Sequence, residues 1–299
     1  HLIRRRPRIA HFFLPHAYLL GGMAAIAAQV PIRVMSRRSL NVYKARHMGA
    51  WRMERRLHGH MTAILGNSRA VVRQLVEEEG CDPNCTHLIY NGVNLSDFRR
   101  GQDKQAARRE LGLENATLVM TIVANLIPYK GHADLLEALA GIRAELPSGW
   151  VLLCAGRDDG CGDKLKRQAI DAGLDGQVHF LGQREDVARL YAAADIGLLC
   201  SHEEGFSNAI IEGMASGVPM IVTDVGGNAE AIRHGDTGIV VQPSDPRTLG
   251  AAIMALASSS PTQLREMGER ARRRAEEDFS LETCVATYDR FYRQLLSQL

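Results

Sequence analysis

The sequence has almost no excess of charge of either sign, and it has few aromatic residues. Lys and Arg number 36 against 34 Asp and Glu, which gives a net charge of +2, and Phe, Trp and Tyr make up 5% of the chain. A near-neutral chain has no overall positive field for nucleic acid, so we expect no nucleic-acid partner. The 45% of hydrophobic residues can form packed cores, and 299 residues are enough for two α/β domains of which one is incomplete.

Cysteines are sparse, and none of them has the spacing of a metal site. The six are scattered, and neither Cys81 with Cys85 nor Cys154 with Cys161 is followed by a second pair at zinc-site spacing. We therefore expect no metal cofactor. Reduced thiols in the cytosol are the simplest interpretation.

Long apolar runs are absent too. Residues 14–30 contain Pro15 and a glycine pair and fall short of the ~20 residues that a membrane-spanning helix requires. They predict the end of a strand followed by a buried helix, in a cytoplasmic protein. The sequence begins with His1 and not with a methionine, so we expect no signal peptide and a truncated amino terminus that lacks a first strand and its loop.

Positive charge is unevenly distributed along the chain. Basic residues crowd its first part at Arg4, Arg5, Arg6, Arg8, Arg33, Arg37, Arg38, Lys44, Arg46, Arg52, Arg55 and Arg56. Such a run is typical of a solvated face, and the alternative is a surface for an anionic membrane or an anionic acceptor. Peripheral attachment at the inner membrane face is therefore the alternative to a purely cytoplasmic location.

From Thr117 onward, short apolar runs alternate with segments of helical periodicity. The predicted strands are Leu118–Ala124, Val151–Ala155, Val178–Leu181, Ile196–Cys200, Pro219–Thr223 and Gly238–Val241. The predicted helices include Ala133–Leu146, Lys164–Ala172, Val187–Ala193 and Asn208–Ala215. Unbroken apolar strands between amphipathic helices indicate a parallel sheet covered on both faces. Residues 113–280 are therefore predicted to form a doubly wound, Rossmann-like α/β domain.

The first 112 residues show the same alternation with too few strands for a complete domain. Strands are predicted at Ile9–Leu14, Ile32–Met35, Ala63–Gly66 and His87–Tyr90, with helices at Ala17–Ala28 and Ser68–Glu79. Residues 96–112 are polar and irregular, and they predict a linker. Residues 281–299 predict one amphipathic helix that packs back on the first domain, with Cys284, Tyr288, Phe291, Tyr292 and Leu295 at helical spacing.

Ligands of open α/β sheets bind beyond the carboxyl ends of the strands, so the loops at those ends are the candidates for a site. Residues 201–208 lead into a helix whose N-cap is Ser207 or Asn208, and the open amides of a helix start suit a phosphate. Glu204 precedes this start and Glu212 lies one turn inside it. A carboxylate beside an anion site needs hydroxyl donors, which sugars and ribose supply. The alternative is two solvated glutamates.

Two further loops have a composition that suits phosphate. Gly226 and Gly227 allow the backbone to approach a ligand closely, or they form an ordinary tight turn. Lys130 follows the first strand of this domain as a mobile point charge suited to a diphosphate, or it is a surface lysine. No P-loop, no opening G-x-G-x-x-G and no G-x-S-x-G element is present.

Taken in order, these loops resemble those of the family-4 (group 1) glycosyltransferases, which have the GT-B fold. The stretches that carry the resemblance are VANLIPYKGH (123–132), VHFLGQREDV (178–187), EGFSNAIIEGMASGVP (204–219) and TDVGGNAE (223–230), with weaker matches in GNSRAVV (66–72) and IYNGV (89–93). The resemblance implies a retaining transfer from a UDP- or GDP-linked sugar to a saccharide or lipid-linked acceptor, usually without a metal.

The resemblance also implies roles for individual residues. Glu204 would face the sugar hydroxyls, Glu212 the ribose hydroxyls, and Lys130 the diphosphate. His11 stands at the first histidine of the family's His-x-His and is the third catalytic candidate, with Glu204 and Lys130. The remaining donor-binding candidates are Asn125, Gly182, Gln183, Arg184, Gly205, Phe206, Ser207, Asn208, Gly226 and Gly227, of which 182–184 would lie by the nucleobase.

Two positions depart from the family pattern. Asn125 stands where the family often has an arginine, and Phe13 stands at the second histidine of His-x-His. Both departures, together with the short amino terminus, motivate the alternative of a catalytically impaired nucleotide-sugar-binding protein or scaffold. A GT-B epimerase or phosphorylase is the third hypothesis.

Overall fold

The computed structural model describes residues 2–41, 48–98 and 103–299. The chain forms two compact units, each built on its own parallel sheet, and this confirms the predicted α/β class. The first unit comprises His1–Gly92, Glu204–Phe206 and Leu281–Leu299, and the second comprises Val93–Glu203 and Ser207–Ser280. None of the helices in the described ranges combines the length and apolarity that a membrane span needs.

The secondary structure alternates between strand and helix through most of the chain. The strands are β1 (Ile9–Phe13), β2 (Ile32–Arg37), β3 (Ala63–Gly66), β4 (Thr86–Leu88), β5 (Leu118–Val123), β6 (Trp150–Ala155), β7 (Val178–Gly182), β8 (Ile196–Leu199), β9 (Met220–Thr223) and β10 (Gly238–Val241). The helices are α1 (Leu2–Arg5), α2 (Pro15–Ala27), α3 (Met48–His58), α4 (Arg69–Glu77), α5 (Lys104–Glu110), α6 (His132–Ile142), α7 (Gly162–Asp171), α8 (Val187–Ala193), α9 (Asn208–Ala215), α10 (Asn228–Ala231), α11 (Pro246–Ala257), α12 (Pro261–Asp278) and α13 (Leu281–Leu296).

The first sheet has the strand order β1-β2-β3-β4, with all neighbouring pairs parallel. Alternate residues of each strand face opposite sides, so the sheet has two cores. One core contains Met35 and Ile64 and is covered by helices α2, α3 and α4. The other core contains Val34 and Leu65, and α13 packs on it through residues that include Phe291.

A charged cluster lies beneath α3 in the first unit. Arg37, at the end of β2, donates to Glu54 at 2.9 Å and to Glu79 at 3.1 Å, and all three side chains are buried. His58 Nε2 lies 2.9 Å from the second oxygen of Glu79. Burial alone would raise the pKa of Glu79, but the hydrogen bond with His58 and the charge of Arg37 hold that pKa below its usual value. This cluster fixes α3 against the sheet.

The second sheet has the order β10-β9-β8-β5-β6-β7, again with all pairs parallel. From β5 the chain winds outward through β6 to β7, returns to place β8 on the other side of β5, and continues to β9 and β10. The point at which the winding reverses, between β5 and β8, is the topological switch point at which open α/β sheets bind ligands.

Three sequence expectations need correction. The segment at 96–112 is not irregular throughout, because α5 begins at an Asp103 cap and Arg108 donates to Asp195 at 2.5 Å inside the second unit. The division between the units accordingly falls after Gly92, whereas the sequence placed it after Gly112. The helix expected to be buried, α2, leaves Leu20 and Met23 exposed, since its outer side has no covering element among the described residues.

Candidate functional site

In the second unit, the loops that follow the parallel strands all leave from the same edge of the sheet. Those after β5 and β8 flank the switch point, and they are in direct contact. A Cβ added to Gly131 would lie 1.9 Å from the carbonyl oxygen of Cys200, and the backbone N–H of His202 donates to the Tyr129 carbonyl at 2.7 Å. The φ of Gly131 is +71°, a value that favours glycine. The sequence therefore brings Lys130, next to Gly131, to the switch point.

Helix α9 begins just beyond the same edge, after β8. Ser207 is its N-cap in extended conformation, as one of the two sequence alternatives predicted, but its side chain makes no capping hydrogen bond. The first amides of α9 therefore receive no hydrogen bond from this side chain, and a helix start carries a partial positive charge. This end of α9 can bind an anion.

Glu212 lies one turn into α9 and is largely buried. Its carboxylate has no hydrogen-bond partner among the described residues. Burial raises the pKa of Glu212 above its usual value, and the same carboxylate, after burial, contributes to the raised pKa of Tyr191. The phenol of Tyr191 donates instead to the Ala209 carbonyl at 2.8 Å. An unpartnered carboxylate in this position is able to accept hydrogen bonds from a ligand's hydroxyl groups.

The loop after β9 contributes Gly226 and Gly227. Gly226 has a φ of +54°, and Gly227 is the N-cap of the short helix α10. Asn228, the next residue, is fully buried, and neither polar atom of its amide has a hydrogen-bond partner in the described part of the chain.

A cavity of about 260 Å³ opens at the ends of β5, β6 and β7. Val123, Ala124, Ala155 and Val187 are apolar residues that line it. Three of the predicted donor-binding residues, Asn125, Gln183 and Arg184, are among its polar lining. Gly182 ends β7 with a φ of +67° beside it. Arg184 is oriented by Asp186 through contacts of 2.7 and 2.6 Å.

Arg157 lines the same cavity and was missed by the sequence analysis. It follows β6 and donates to Asp159 through Nε at 2.6 Å and through Nη2 at 3.1 Å. Asn125 joins this pair, because its amide nitrogen donates to Asp159 at 3.2 Å and its oxygen accepts the Arg157 backbone N–H at 3.2 Å. The hydrogen bond from Arg157 holds the pKa of Asp159 below its usual value, although burial opposes the shift. A glycine followed by charged residues after a strand is the signal that could have found Arg157.

In the first unit, His11 is the central residue of β1. Both of its ring nitrogens lie within hydrogen-bond distance of hydroxyl groups, Nδ1 at 2.6 Å from Tyr292 and Nε2 at 2.8 Å from Ser36. Burial lowers the pKa of His11 to about 4, so the imidazole is neutral at pH 7. Phe13 stacks on it with a centroid separation of 4.2 Å. The imidazole therefore lies on the face of the sheet that α13 covers.

Glu204, Gly205 and Phe206 belong to the first unit, at the carboxyl edge of its sheet. A Cβ added to Gly205 would lie 2.3 Å from the Arg38 carbonyl oxygen, so the backbone makes a close approach there. The Phe206 carbonyl accepts from Asn91 Nδ2 at 3.0 Å. Glu204 is half-buried. These three residues are thus held in a defined conformation.

The sequence matches two family profiles. The profile described as "Glycosyl transferases group 1" matches residues 103–274, which is more than half of the chain, and the one described as "Glycosyltransferase Family 4" matches residues 1–97. Both matches agree with the resemblance carried by the loop motifs.

Several curated proteins are similar in sequence. The chain is 34% identical to a D-inositol 3-phosphate glycosyltransferase of Rhodococcus erythropolis, over 73% of this chain and 50% of that protein. It is 33% identical to an N-acetyl-alpha-D-glucosaminyl L-malate synthase of Bacillus anthracis, over 76% of this chain and 59% of that protein. The chain thus spans about half the length of the curated relatives it matches.

Solved structures show the same fold. The Anabaena protein HepE, crystallised with UDP, superposes with a TM-score of 0.87 at 23% identity, over 100% of this chain and 81% of that one. The sucrose-phosphate synthase of Thermosynechococcus elongatus gives a TM-score of 0.82 at 25% identity, over 98% of this chain and 74% of that one.

Proposed function

The chain belongs to the group 1 glycosyltransferases, and on that premise we propose that it transfers a sugar from a UDP- or GDP-linked donor to a saccharide or lipid-linked acceptor. Transfer proceeds with retention at the anomeric carbon, as the resemblance of the loops implies. HepE was crystallised with UDP and with UDP-glucose, which supports a nucleotide-sugar donor for a chain of the same fold.

The observation that carries this proposal is the carboxylate of Glu212. It has no hydrogen-bond partner among the described residues, and it lies one turn inside a helix whose N-cap side chain makes no capping hydrogen bond. The Glu212 side chain is partly withdrawn from water, so its carboxylate loses part of its hydration, which a ligand's hydroxyl groups can replace. A nucleotide can bind to both groups. Its phosphates accept hydrogen bonds from amides at the helix start, and its ribose hydroxyls donate to the carboxylate.

Catalysis follows from the direction in which charge moves. As the bond between the sugar and the diphosphate breaks, negative charge develops on the leaving diphosphate. Lys130 and the start of α9 carry positive charge toward that group, so they bind the transition state more tightly than the ground state. In this proposal those groups do the work that a metal ion does in other transferases.

The remaining catalytic candidates have narrower roles. Glu204 accepts hydrogen bonds from the sugar hydroxyls in this proposal, and its half-buried position in a fixed tripeptide suits an orienting group. His11 is neutral at pH 7 and its ring nitrogens already contact Tyr292 and Ser36. We therefore assign His11 a positioning role, through Ser36 at the end of β2.

The acceptor side of the proposal rests on charge as well as on resemblance. The names of two relatives specify inositol 3-phosphate and L-malate, both anionic, as the molecules that those enzymes glycosylate or incorporate. Arg52 and Arg56 on the outer side of α3 are exposed, and neither has an ion-pair partner among the described residues. We propose that this basic side meets an anionic membrane surface when the acceptor is lipid-linked.

Titration calorimetry with UDP and with GDP tests the donor assignment. We expect one of them to bind, and Glu212→Ala to weaken its binding by about 1–3 kcal/mol, the cost of losing hydrogen bonds to a charged acceptor. Glu266→Ala is the matched control, because Glu266 is an exposed glutamate on α12 of the same unit. Absence of binding by both diphosphates would reject the proposal. Binding without any sugar transfer to acceptors would favour the scaffold alternative.

A further inference from the structure

The cavity at the ends of β5, β6 and β7 contains a cation that the proposed function does not use. Arg157 lies in the loop after β6, and its side chain is 63% exposed, whereas that of its partner Asp159 is 28% exposed. The guanidinium therefore points outward from the pair and the carboxylate lies beneath it. An arginine fixed in this way presents its charge to whatever occupies the cavity.

Only some of the N–H donors of the Arg157 side chain form hydrogen bonds within the described part of the chain. A guanidinium has five N–H donors in a rigid planar fork. Asp159 accepts from Nε and from one N–H of Nη2. The other three N–H groups have no acceptor among the described residues. They match the geometry of phosphate oxygens, which arginine binds through parallel charge-assisted hydrogen bonds.

The loop that carries Arg157 is attached to the loop that leads to Lys130. The Leu126 N–H donates to the Arg157 carbonyl at 2.8 Å, and the Asp159 N–H donates to the Leu126 carbonyl at 3.2 Å. Gly156 makes this approach possible, because a Cβ there would lie 2.1 Å from the Ala124 carbonyl oxygen. Arg157 is thus placed beside Asn125, which lies five residues before Lys130 in the same loop.

Asn125 holds the pair instead of supplying charge. It donates to Asp159 at 3.2 Å, so the two carboxylate oxygens face Arg157 and Asn125 and not the open cavity. The end of β5 is therefore neutral at position 125, and the nearest positive charge in the cavity comes from the neighbouring loop. Arg184, also in the cavity, follows β7 and is one strand further from the switch point.

We propose that Arg157 binds the donor diphosphate as a second cation alongside Lys130, with Asp159 and Asn125 orienting its guanidinium. This inference rests on the proposed function, since it requires a nucleotide in the site. It adds a binding residue in the loop after β6 to those in the loops after β5, β7, β8 and β9.

The test compares a nucleoside diphosphate with its nucleoside, by calorimetry on the full chain with UDP and uridine and with GDP and guanosine. Arg157→Ala is expected to weaken diphosphate binding about 10-fold and to leave nucleoside binding unchanged. Arg157→Lys keeps the charge but loses the planar fork of N–H donors. We expect its affinity for the diphosphate to lie between those of the unmodified chain and of Arg157→Ala. Arg293→Ala is the control, because Arg293 is exposed and paired through Nε with Asp289 at 2.7 Å in the first unit.

A second experiment moves the guanidinium from position 157 to position 125. Asn125→Arg introduced into the Arg157→Ala chain returns a guanidinium to the adjacent position, and we expect it to restore at least part of the lost diphosphate affinity. Equal losses for diphosphate and nucleoside in Arg157→Ala, or no loss for either, would overturn the inference while leaving the proposed function intact. If the unmodified chain binds neither diphosphate, the proposed function fails and this inference fails with it.

Discussion

His202 Nε2 lies 2.8 Å from Asp134 Oδ2, and this contact joins the loop after β8 to the first turn of α6. The same loop is also attached by the backbone hydrogen bond from His202 to Tyr129. One backbone and one side-chain hydrogen bond therefore join the two loops, in addition to the close approach of Gly131 to Cys200. Because Lys130 lies in one of these loops and α9 follows the other, the pair fixes the distance between the two proposed phosphate-binding elements.

Loss of this side-chain contact should loosen the site without unfolding the chain. We expect Asp134→Ala to weaken nucleoside diphosphate binding about fivefold, which corresponds to about 1 kcal/mol. Asp163→Ala is the control, since Asp163 occupies the first turn of α7 and is exposed. Calorimetry measures the affinity and thermal melting measures the stability. Equal affinities of the two variants would show that the contact between His202 and Asp134 does not contribute to the arrangement of the loops.

We expect the ionised carboxylate of Glu212 to lower the free energy of unfolding of the unliganded chain. Its pKa is raised by burial, so the folded state holds the proton more tightly than the unfolded state, in which a glutamate has a pKa of about 4.3. The free energy of unfolding is thus expected to fall as pH rises from that value through the folded pKa. Glu212→Gln removes this titration, and we expect it to melt at a higher temperature than the unmodified chain at pH 7.

The advantage of Glu212→Gln should shrink as pH falls through the same window, because both side chains are then neutral. Thermal melting at a series of pH values from 7 downward measures it. The variant should at the same time bind nucleotide more weakly, since an amide has a single acceptor oxygen where the carboxylate has two. A melting difference independent of pH would mean that Glu212 is paired in the folded chain.

The core of the first unit depends on the charged cluster beneath α3. Arg37→Met leaves Glu54 and Glu79 buried without their cation, and breaking one partner of a buried pair typically costs about 3–5 kcal/mol. We expect urea unfolding of the first unit to shift to markedly lower concentration. Arg73→Met, an exposed change on α4, is the control and should leave the midpoint within error. A similar midpoint for both variants would mean that the cluster relaxes around the missing charge.

The sequence predicted the second unit better than the first, for a physical reason. Strands such as β5 and β8 are buried on both faces and therefore consist almost entirely of apolar residues. Helix α3 was missed because its buried side includes Glu54 and His58, so hydrophobic periodicity does not reveal it. Arg157 was missed because its neighbours in the sequence are also charged. The two aspartates that follow it suggest a solvated turn, and only the folded chain shows that Asp159 orients the guanidinium.

The proposed membrane contact can be tested by substitutions on the outer side of α3. Arg52 and Arg56 are exposed there, and Met48 and Met53, with 45% and 44% of their surfaces exposed, flank them. Each basic residue near an anionic lipid surface contributes about 1 kcal/mol. We therefore expect the double variant Arg52→Glu/Arg56→Glu to lose more than 10-fold of its partitioning onto vesicles that contain phosphatidylglycerol.

Pelleting with vesicles measures this partitioning, and vesicles of phosphatidylcholine alone should bind neither chain. Arg265→Glu/Arg273→Glu makes the same change of net charge on exposed positions of α12 in the second unit. If binding depends on the surface of α3, this control keeps its affinity, and raising the salt concentration weakens the unmodified chain because the contact is screened. Equal losses in the two double variants would assign the attraction to overall charge, and no binding to anionic vesicles would remove the membrane from the proposed partners.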